Sequence, residues 1–104
     1  MSIAATMVAL GAGALKVDGP LDFSTVAALA ADGERLFPSQ GRVEIDLSGV
    51  TTANSAGLVL LLEWMEIARR RKLTLRFRHL PDPLVRLAAL TYLTGLLPLA
   101  RSGG

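Results

Sequence analysis

Two stretches of the chain, Arg42–Leu47 and Leu73–Arg78, alternate between apolar and polar residues. In both, every second residue is apolar, and most of the residues between them are charged. This period of two is typical of strands that bury one face. The pattern predicts a sheet with helices on one face and water on the other, because strands buried on both faces would be apolar throughout.

Two shorter strands are predicted at Met7–Leu10 and Ala14–Val17, on either side of Gly11–Gly13. Glycines between short apolar segments favour a tight turn, so we interpret the pair as a hairpin that Gly19–Pro20 closes. The glycines at 11 and 13 lack the following helix and the third glycine of a dinucleotide-binding loop, and they are therefore interpreted as a turn.

Apolar residues at helical spacing predict the first two helices. The first runs from Thr25 to Phe37, with Asp22 or Ser24 as its cap, and Pro38–Gly41 ends it. The second runs from Ser55 to about Arg71.

A third helix is predicted from Leu84 to about Leu93. Asp82 serves as its cap, Pro83 fits its first helical position, and Gly95 stops it. After it, Leu96–Leu99 either adds a short edge strand or packs over the core.

The second helix has more apolar surface than one contact with a sheet requires. At about 100° per residue, its apolar residues form two neighbouring stripes that together cover roughly 220°. One stripe is Leu58, Leu61, Leu62, Met65 and Ala68, the other is Leu60, Trp64 and Ile67, and the side marked by Glu63, Glu66 and Arg70 faces water. The second stripe packs either beneath the third helix or against another protein, since exposed apolar patches and tryptophan mark interfaces.

The basic run Arg69–Lys72 lies at the end of this helix. Cations there complement the helix dipole and the free carbonyl groups. The alternative is a contact with acidic lipid head groups or with an acidic partner.

Ser55 stands at the start of the second helix, at the end of the polar stretch 48–55 that predicts a turn. A serine at this place is most often a cap that binds a backbone amide. Catalysis would require a base, yet His79 is the only histidine and no Gly-x-Ser-x-Gly motif surrounds Ser55. The remaining interpretation is a phosphorylation switch beside the positive helix end.

Size and composition exclude several classes of protein. The 104 residues suffice for a single domain, with Ser102–Gly104 as a loose tail. A net charge of +2, from 11 basic and 9 acidic residues, is too balanced for a nucleic-acid-binding protein. Without cysteine and with one histidine, no metal site or disulfide is expected, and no cofactor is predicted.

No segment predicts a signal peptide or a membrane span. The apolar N-terminal stretch has no basic residue before it and is interrupted by glycines. The longest apolar run, Ala56–Leu62, is far shorter than the roughly 18 residues that cross a bilayer. We therefore expect a soluble, cytoplasmic protein.

Two motifs in this order resemble the signature of the STAS domain, which anti-sigma-factor antagonists and sulphate transporters share. They are Asp46–Val50 (Asp-Leu-Ser-Gly-Val) and Asn54–Leu58 (Asn-Ser-Ala-Gly-Leu). Gly19–Asp22 is similar to the family's Gly-x-Leu-Asp after the second strand. The resemblance implies an α/β single domain with a mixed four- to five-stranded sheet and about three helices, packed mainly on one face.

Within the family, Leu87–Leu93 and Leu97–Leu99 are similar to the C-terminal region of the STAS subunit (Mla-type, B subunit) of the phospholipid-trafficking ABC transporter of Gram-negative bacteria. This implies a non-enzymatic accessory subunit that binds the transporter's ATPase at the cytoplasmic face of the inner membrane, without inserting into it. The expected partner interface is Asn54, Ser55, Ala56, Leu60, Trp64 and Ile67.

The resemblance also makes Ser55 the candidate phospho-acceptor, because it occupies the family's switch position. Asn54 departs from the pattern, since the phosphorylated antagonists typically carry Asp there. Loss of that carboxylate favours constitutive binding over a kinase-operated switch. The alternatives are an anti-sigma-factor antagonist regulated at Ser55 and, as a remote third, a small serine hydrolase.

Overall fold

The computed structural model of the protein describes residues 4–91 and 94–100. Its elements follow the predicted α/β order, and the expected tail at 102–104 lies outside the described residues. In chain order they are β1 (Thr6–Gly11), β2 (Ala14–Leu21), α1 (Val26–Leu36), β3 (Arg42–Ala53), α2 (Ser55–Arg71), β4 (Thr74–Arg78), α3 (Asp82–Leu90) and a 3-10 turn (Thr94–Leu96).

The strands form one mixed sheet in the order β1-β2-β3-β4. β1 pairs with β2 antiparallel, whereas β2–β3 and β3–β4 are parallel. The connection from β2 to β3 contains α1, the connection from β3 to β4 contains α2, and both move towards the β4 edge of the sheet. Because such crossovers are right-handed, both helices lie on the same face of the sheet. The predicted fold class is confirmed.

The segment expected to form either an edge strand or a cover for the core makes a single bridge beside β4. Phe77 N donates to Pro98 O at 2.8 Å, and Ala100 N donates to Phe77 O at 2.8 Å. Leu99 is thereby paired with Phe77 in parallel orientation. The bridge covers part of the outer edge of β4.

The predicted hairpin is present, but Gly19–Pro20 does not close it. Ala12 and Gly13 both have positive φ, 53° and 82°, as in the type I′ turns that join twisted strands. β2 then continues to Leu21, whose pairing partner is Ala53 of β3. Pro20 is tolerated because it lies past the last residue of β2 that pairs with β1.

The same pairing corrects the predicted turn at 48–55. β3 does not end at Leu47 but continues to Ala53, with register shifts against β2. The extended β2 gives this polar stretch a hydrogen-bonding partner, and Thr51 and Thr52 fit a strand whose side chains are exposed. The chain therefore passes from strand to helix through Asn54 alone.

Helix ends differ from the predictions by a few residues. Thr25 precedes α1 without a side-chain capping bond, so neither Asp22 nor Ser24 is its cap. Pro81 precedes α3, Asp82 is that helix's first residue, and the helix ends at Leu90 rather than Leu93. Pro83 nevertheless lies in the first turn, where its missing N–H removes no helical bond.

The broad buried face of α2 packs against α1 and the sheet. Trp64 is fully buried, and its Nε1 donates to Leu29 O of α1 at 3.2 Å. The ring of Phe37, just after α1, lies 6.5 Å from the Trp64 ring. Neither of the two predicted neighbours of Trp64, the third helix or another protein, is therefore correct. The indole is covered by α1, and α3 contributes Leu84 near Gly57 at the other end of α2.

The basic run at the end of α2 has partners within the molecule. Arg69 pairs with Glu66, and Arg70 and Arg71 both pair with Glu34 of α1. Arg71 also donates to the carbonyl oxygens of Glu34 and Phe37, at 2.7 and 3.0 Å. These bonds tie the C-terminal ends of α1 and α2 together, which supports the structural interpretation of the run.

Candidate functional site

The predicted site lies at the corner of the sheet where β2 and β3 end side by side. Leu21 and Ala53 are paired, and Asn54 N donates to Leu21 O at 3.2 Å. The loop after β2 therefore lies next to the start of α2. Because neighbouring parallel strands end at the same edge, residues far apart in sequence meet here.

Hydrogen bonds hold the loop after β2 in a fixed turn. Asp22 Oδ1 accepts from Ser24 N at 2.8 Å and from Ser24 Oγ at 2.6 Å. These bonds lower the pKa of the Asp22 carboxyl below its ordinary value. Thr25 Oγ1 donates to Pro20 O at 2.8 Å, which fixes the other end of the turn. Phe23, within this turn, is 77% exposed.

Asn54, and not Ser55, caps α2. The Asn54 backbone is extended, and its Oδ1 accepts from Ala56 N at 2.9 Å. Ser55 is the first helical residue and is exposed. Within residues 4–91 and 94–100 its hydroxyl makes no hydrogen bond, so the interpretation of Ser55 as the cap is wrong.

A line of exposed residues runs from Ser55 along the outer face of α2. Val59, Leu62 and Glu66 follow it at spacings of four, seven and eleven residues, which places them on one side of the helix. Val59 is 62% exposed, and Leu62 is exposed as well. The side predicted to face water at Glu66 is confirmed, but it also carries two aliphatic side chains.

A shallow apolar groove of about 260 Å³ separates this line from α1. Its walls are Val26, Ala27 and Ala30 on α1 and Val59 and Glu63 on α2, with Leu60 also lining it. We call the exposed residues Phe23, Asn54, Ser55, Val59 and Leu62, together with this groove, the corner surface.

Four residues of the predicted interface lie inside the molecule. Ala56, Leu60, Trp64 and Ile67 are buried, and α1 and the sheet cover this side of α2. They cannot be the exposed contacts of a partner in this conformation, so the prediction is wrong for them. Asn54 and Ser55 are exposed as an interface requires.

Sequence reasoning missed Phe23, Val59 and Leu62. Two signals could have identified them. Val59 and Leu62 recur at helical spacing from Ser55, and Phe23 is an aromatic residue within a polar loop. The apolar content of a helix does not tell which of its apolar residues a neighbouring helix covers.

The corner surface holds no histidine that could serve Ser55 as a base. His79 follows β4, whose Arg78 is level with Asp46 of β3. Asp46 lies seven residues before Ala53, so the strand rise puts His79 about 20 Å from Ser55. In the described part of the chain no group of acidic and histidine residues could hold a metal ion. No helix there is long and apolar enough to cross a membrane.

The family can now be stated. Residues 6–98 match the sequence model of the family described as "Mlab, STAS domain". The match covers most of the chain, and the protein belongs to this STAS domain family. No curated protein matches the sequence.

Solved structures support the same fold. The chain is similar to the anti-sigma factor antagonist SpoIIAA in its unphosphorylated form, with a TM-score of 0.69 and 12% identity over 94% of this chain and 89% of that one. It is also similar to an anti-sigma factor antagonist from Mycobacterium paratuberculosis, with a TM-score of 0.61 and 24% identity over 95% and 87%. At these identities the likeness shows the fold.

Proposed function

We propose that the protein is a non-enzymatic accessory subunit that binds the ATPase of a phospholipid-trafficking ABC transporter through the corner surface. The observation that carries the proposal is the exposed apolar line of Val59 and Leu62 beside the uncovered Ser55. The description of the matching family, which names Mlab, supports this choice of partner.

The chemistry of the corner surface suits a lasting contact with a protein. Phe23 and Val59 present apolar side chains to solvent, and the groove between α1 and α2 can receive a partner side chain. An apolar centre with a polar rim is the usual composition of an interface. Asn54 caps α2 without adding a charge, so a partner can cover the helix start without burying a carboxylate.

Co-purification of the ATPase with variants of this protein tests the proposal. Val59→Glu places a charge in the centre of the corner surface, and we expect binding to fall by at least about tenfold. Trp64→Glu is unsuitable, because a charge in the core would unfold the protein.

Leu96→Glu is the matched control. Leu96 is exposed, as Val59 is, but it lines a cavity with Met65 and Leu73 near the opposite end of α2. The control should bind the ATPase like the wild type, and circular dichroism should show both variants folded. Unchanged binding by folded Val59→Glu would refute the proposed surface.

The second candidate is an anti-sigma-factor antagonist, and it is favoured by the exposed position of Ser55 at a helix N-terminus. Both similar structures named above are antagonists of this kind. Incubation with a cognate serine kinase and ATP, followed by intact mass, would show one added phosphate that Ser55→Ala abolishes. If the ATPase does not bind and Ser55 is phosphorylated, this candidate replaces the first.

A further inference from the structure

We propose that the protein forms a symmetric dimer in which β1 pairs antiparallel with β1 of a second copy, joining the two sheets. The inference is independent of the corner surface. It follows from the contrast between the two edges of the sheet.

β1 is an edge strand whose one protective feature is a β-bulge between Ala9 and Gly11, at the end next to the hairpin turn. Its sequence, Thr-Met-Val-Ala-Leu-Gly, contains no charged residue and no proline. Val8 and Leu10 are 46% and 61% exposed. Among the described residues no strand pairs with its outer side. Edges of this composition are prone to pair with another strand.

The opposite edge is protected. β4 carries Arg76 and Arg78, and charges on an edge strand oppose pairing with a further strand. The bridge between Phe77 and Leu99 uses the outer backbone groups of Phe77, next to the C-terminal end of β4. A second copy therefore has one suitable edge, and that edge is β1.

A two-fold axis at Val8 gives a self-complementary register. Val8 then faces Val8 of the second copy and Met7 faces Ala9, whereas the β-bulge between Ala9 and Gly11 lies beyond these pairs. On the face towards the helices, the large Met7 of one copy meets the small Ala9 of the other. On the open face, the two copies of Val8 meet, and two β-branched residues form a favourable cross-strand pair. Because β1 contains no charged residue, this register brings no like charges of the two strands opposite each other.

The neighbouring charges also permit this pairing. Lys16 of β2 lies beside Val8, so the two copies of Lys16 are separated by three strand spacings, or about 14 Å. That distance exceeds the screening length of about 8 Å at physiological salt. A second copy therefore fits this edge in shape and in charge.

Sedimentation equilibrium of the full chain tests the dimer. We expect a concentration-dependent monomer–dimer equilibrium, and Val8→Lys should weaken it about tenfold by placing like charges opposite each other. An equimolar mixture of Val8→Lys and Val8→Glu should restore association. Val85→Lys, at an exposed position of α3, is the control and should associate like the wild type.

Single-cysteine variants test the register, since the chain contains no cysteine. Val8→Cys should form a disulfide-linked dimer on mild oxidation, because its two copies face each other. Thr6→Cys, on the same face of the same strand, should not. Because Val8 is an exposed position, the variants are expected to fold, and circular dichroism checks this.

A protein that is still monomeric at millimolar concentration would overturn the proposal. The β1 edge would then be available for pairing with a strand of another protein. A dimer that Val8→Lys leaves unchanged, or that Val85→Lys abolishes, would place the contact on another surface and would equally overturn the proposal. Cross-linking of Thr6→Cys without cross-linking of Val8→Cys would refute the proposed register.

Discussion

At the scale of single residues, Gly33 shows how a position that weakens a helix can be required by its neighbour. A Cβ at Gly33 would lie 2.5 Å from Trp64 Nε1 and 2.6 Å from Trp64 Cδ1. The indole cannot withdraw freely, because its Nε1 is bound to Leu29 O. Glycine at this position therefore permits the close approach of α1 and α2.

Gly33→Ala should lower the free energy of unfolding by about 1–3 kcal/mol, the usual cost of an overpacked core. At an unobstructed helical position the same substitution would instead raise the free energy of unfolding by up to about 1 kcal/mol. Urea denaturation measures the change. Gly95→Ala, where no atom lies within 4 Å of the added Cβ, is the control and should stay within about 0.5 kcal/mol. A more stable Gly33→Ala would contradict the packing described for Trp64.

Ala12 is strained at the tip of the β1–β2 hairpin. Its φ is 53°, a left-handed conformation in which a Cβ is unfavourable. Asparagine is preferred at this first turn position, so Ala12→Asn should raise stability by up to about 1 kcal/mol. Thermal unfolding checks the prediction. Ala31→Asn, an exposed position within α1, should instead lower stability because asparagine is the weaker helix former.

At the scale of elements, the start of α2 separates the roles of two adjacent polar residues. Asn54→Ala should cost about 1 kcal/mol, because Ala56 N loses its acceptor. Asn54→Asp should retain the cap, and Ser55→Ala should change the stability by less than about 0.5 kcal/mol. Chemical denaturation of the three variants compares them. A larger loss for Ser55→Ala than for Asn54→Ala would assign the cap to Ser55 after all.

The sequence predicted the centres of the elements better than their ends. Alternation in Arg42–Leu47 and helical spacing after Ser55 both arise from burial of one face, and that burial is encoded locally. The extension of β2 through Pro20 is not local, because it depends on pairing with the polar end of β3. Tertiary pairing here overrides residues that ordinarily end a strand.

The candidate site could be predicted only in part for a related reason. The motif around Asn54 and Ser55 identified the corner, because a strand-to-helix junction is visible in sequence. The helix wheel gave α2 a broad apolar arc but could not show that α1 would bury Trp64 and leave Val59 exposed. Nor could it show that pairing of Leu21 with Ala53 brings Phe23 to the same corner.

At the scale of the whole molecule, Glu34 connects α1 to the end of α2. Its carboxylate pairs with Arg70 at 2.5 Å and with Arg71 at 2.9 Å. The hydrogen bond from Arg70, with the charges of both arginines, lowers the pKa of Glu34 below its ordinary value of 4.5. Glu34 and Arg70 are exposed and Arg71 is partly exposed, so added salt should weaken the interaction.

The lowered pKa of Glu34 fixes the sign of a pH effect. A carboxyl whose pKa is lower in the folded state contributes stability above its unfolded pKa, and that contribution is lost as the pH falls through the folded pKa. We therefore expect Glu34→Gln to destabilise the protein at about pH 6 and to differ less from the wild type at about pH 3, because protonation of Glu34 removes the charge that the variant lacks.

Denaturation midpoints of both proteins at the two pH values measure this difference. Glu63→Gln is the matched control, because Glu63 has no ion pair among the residues that the structure describes, and its effect should be small at both pH values. The difference between wild type and Glu34→Gln should also shrink at high salt. An effect of Glu34→Gln that is equal at both pH values would show that the side chain acts through packing and not through its charge, and the link between the two helices would then rest on the carbonyl bonds of Arg71.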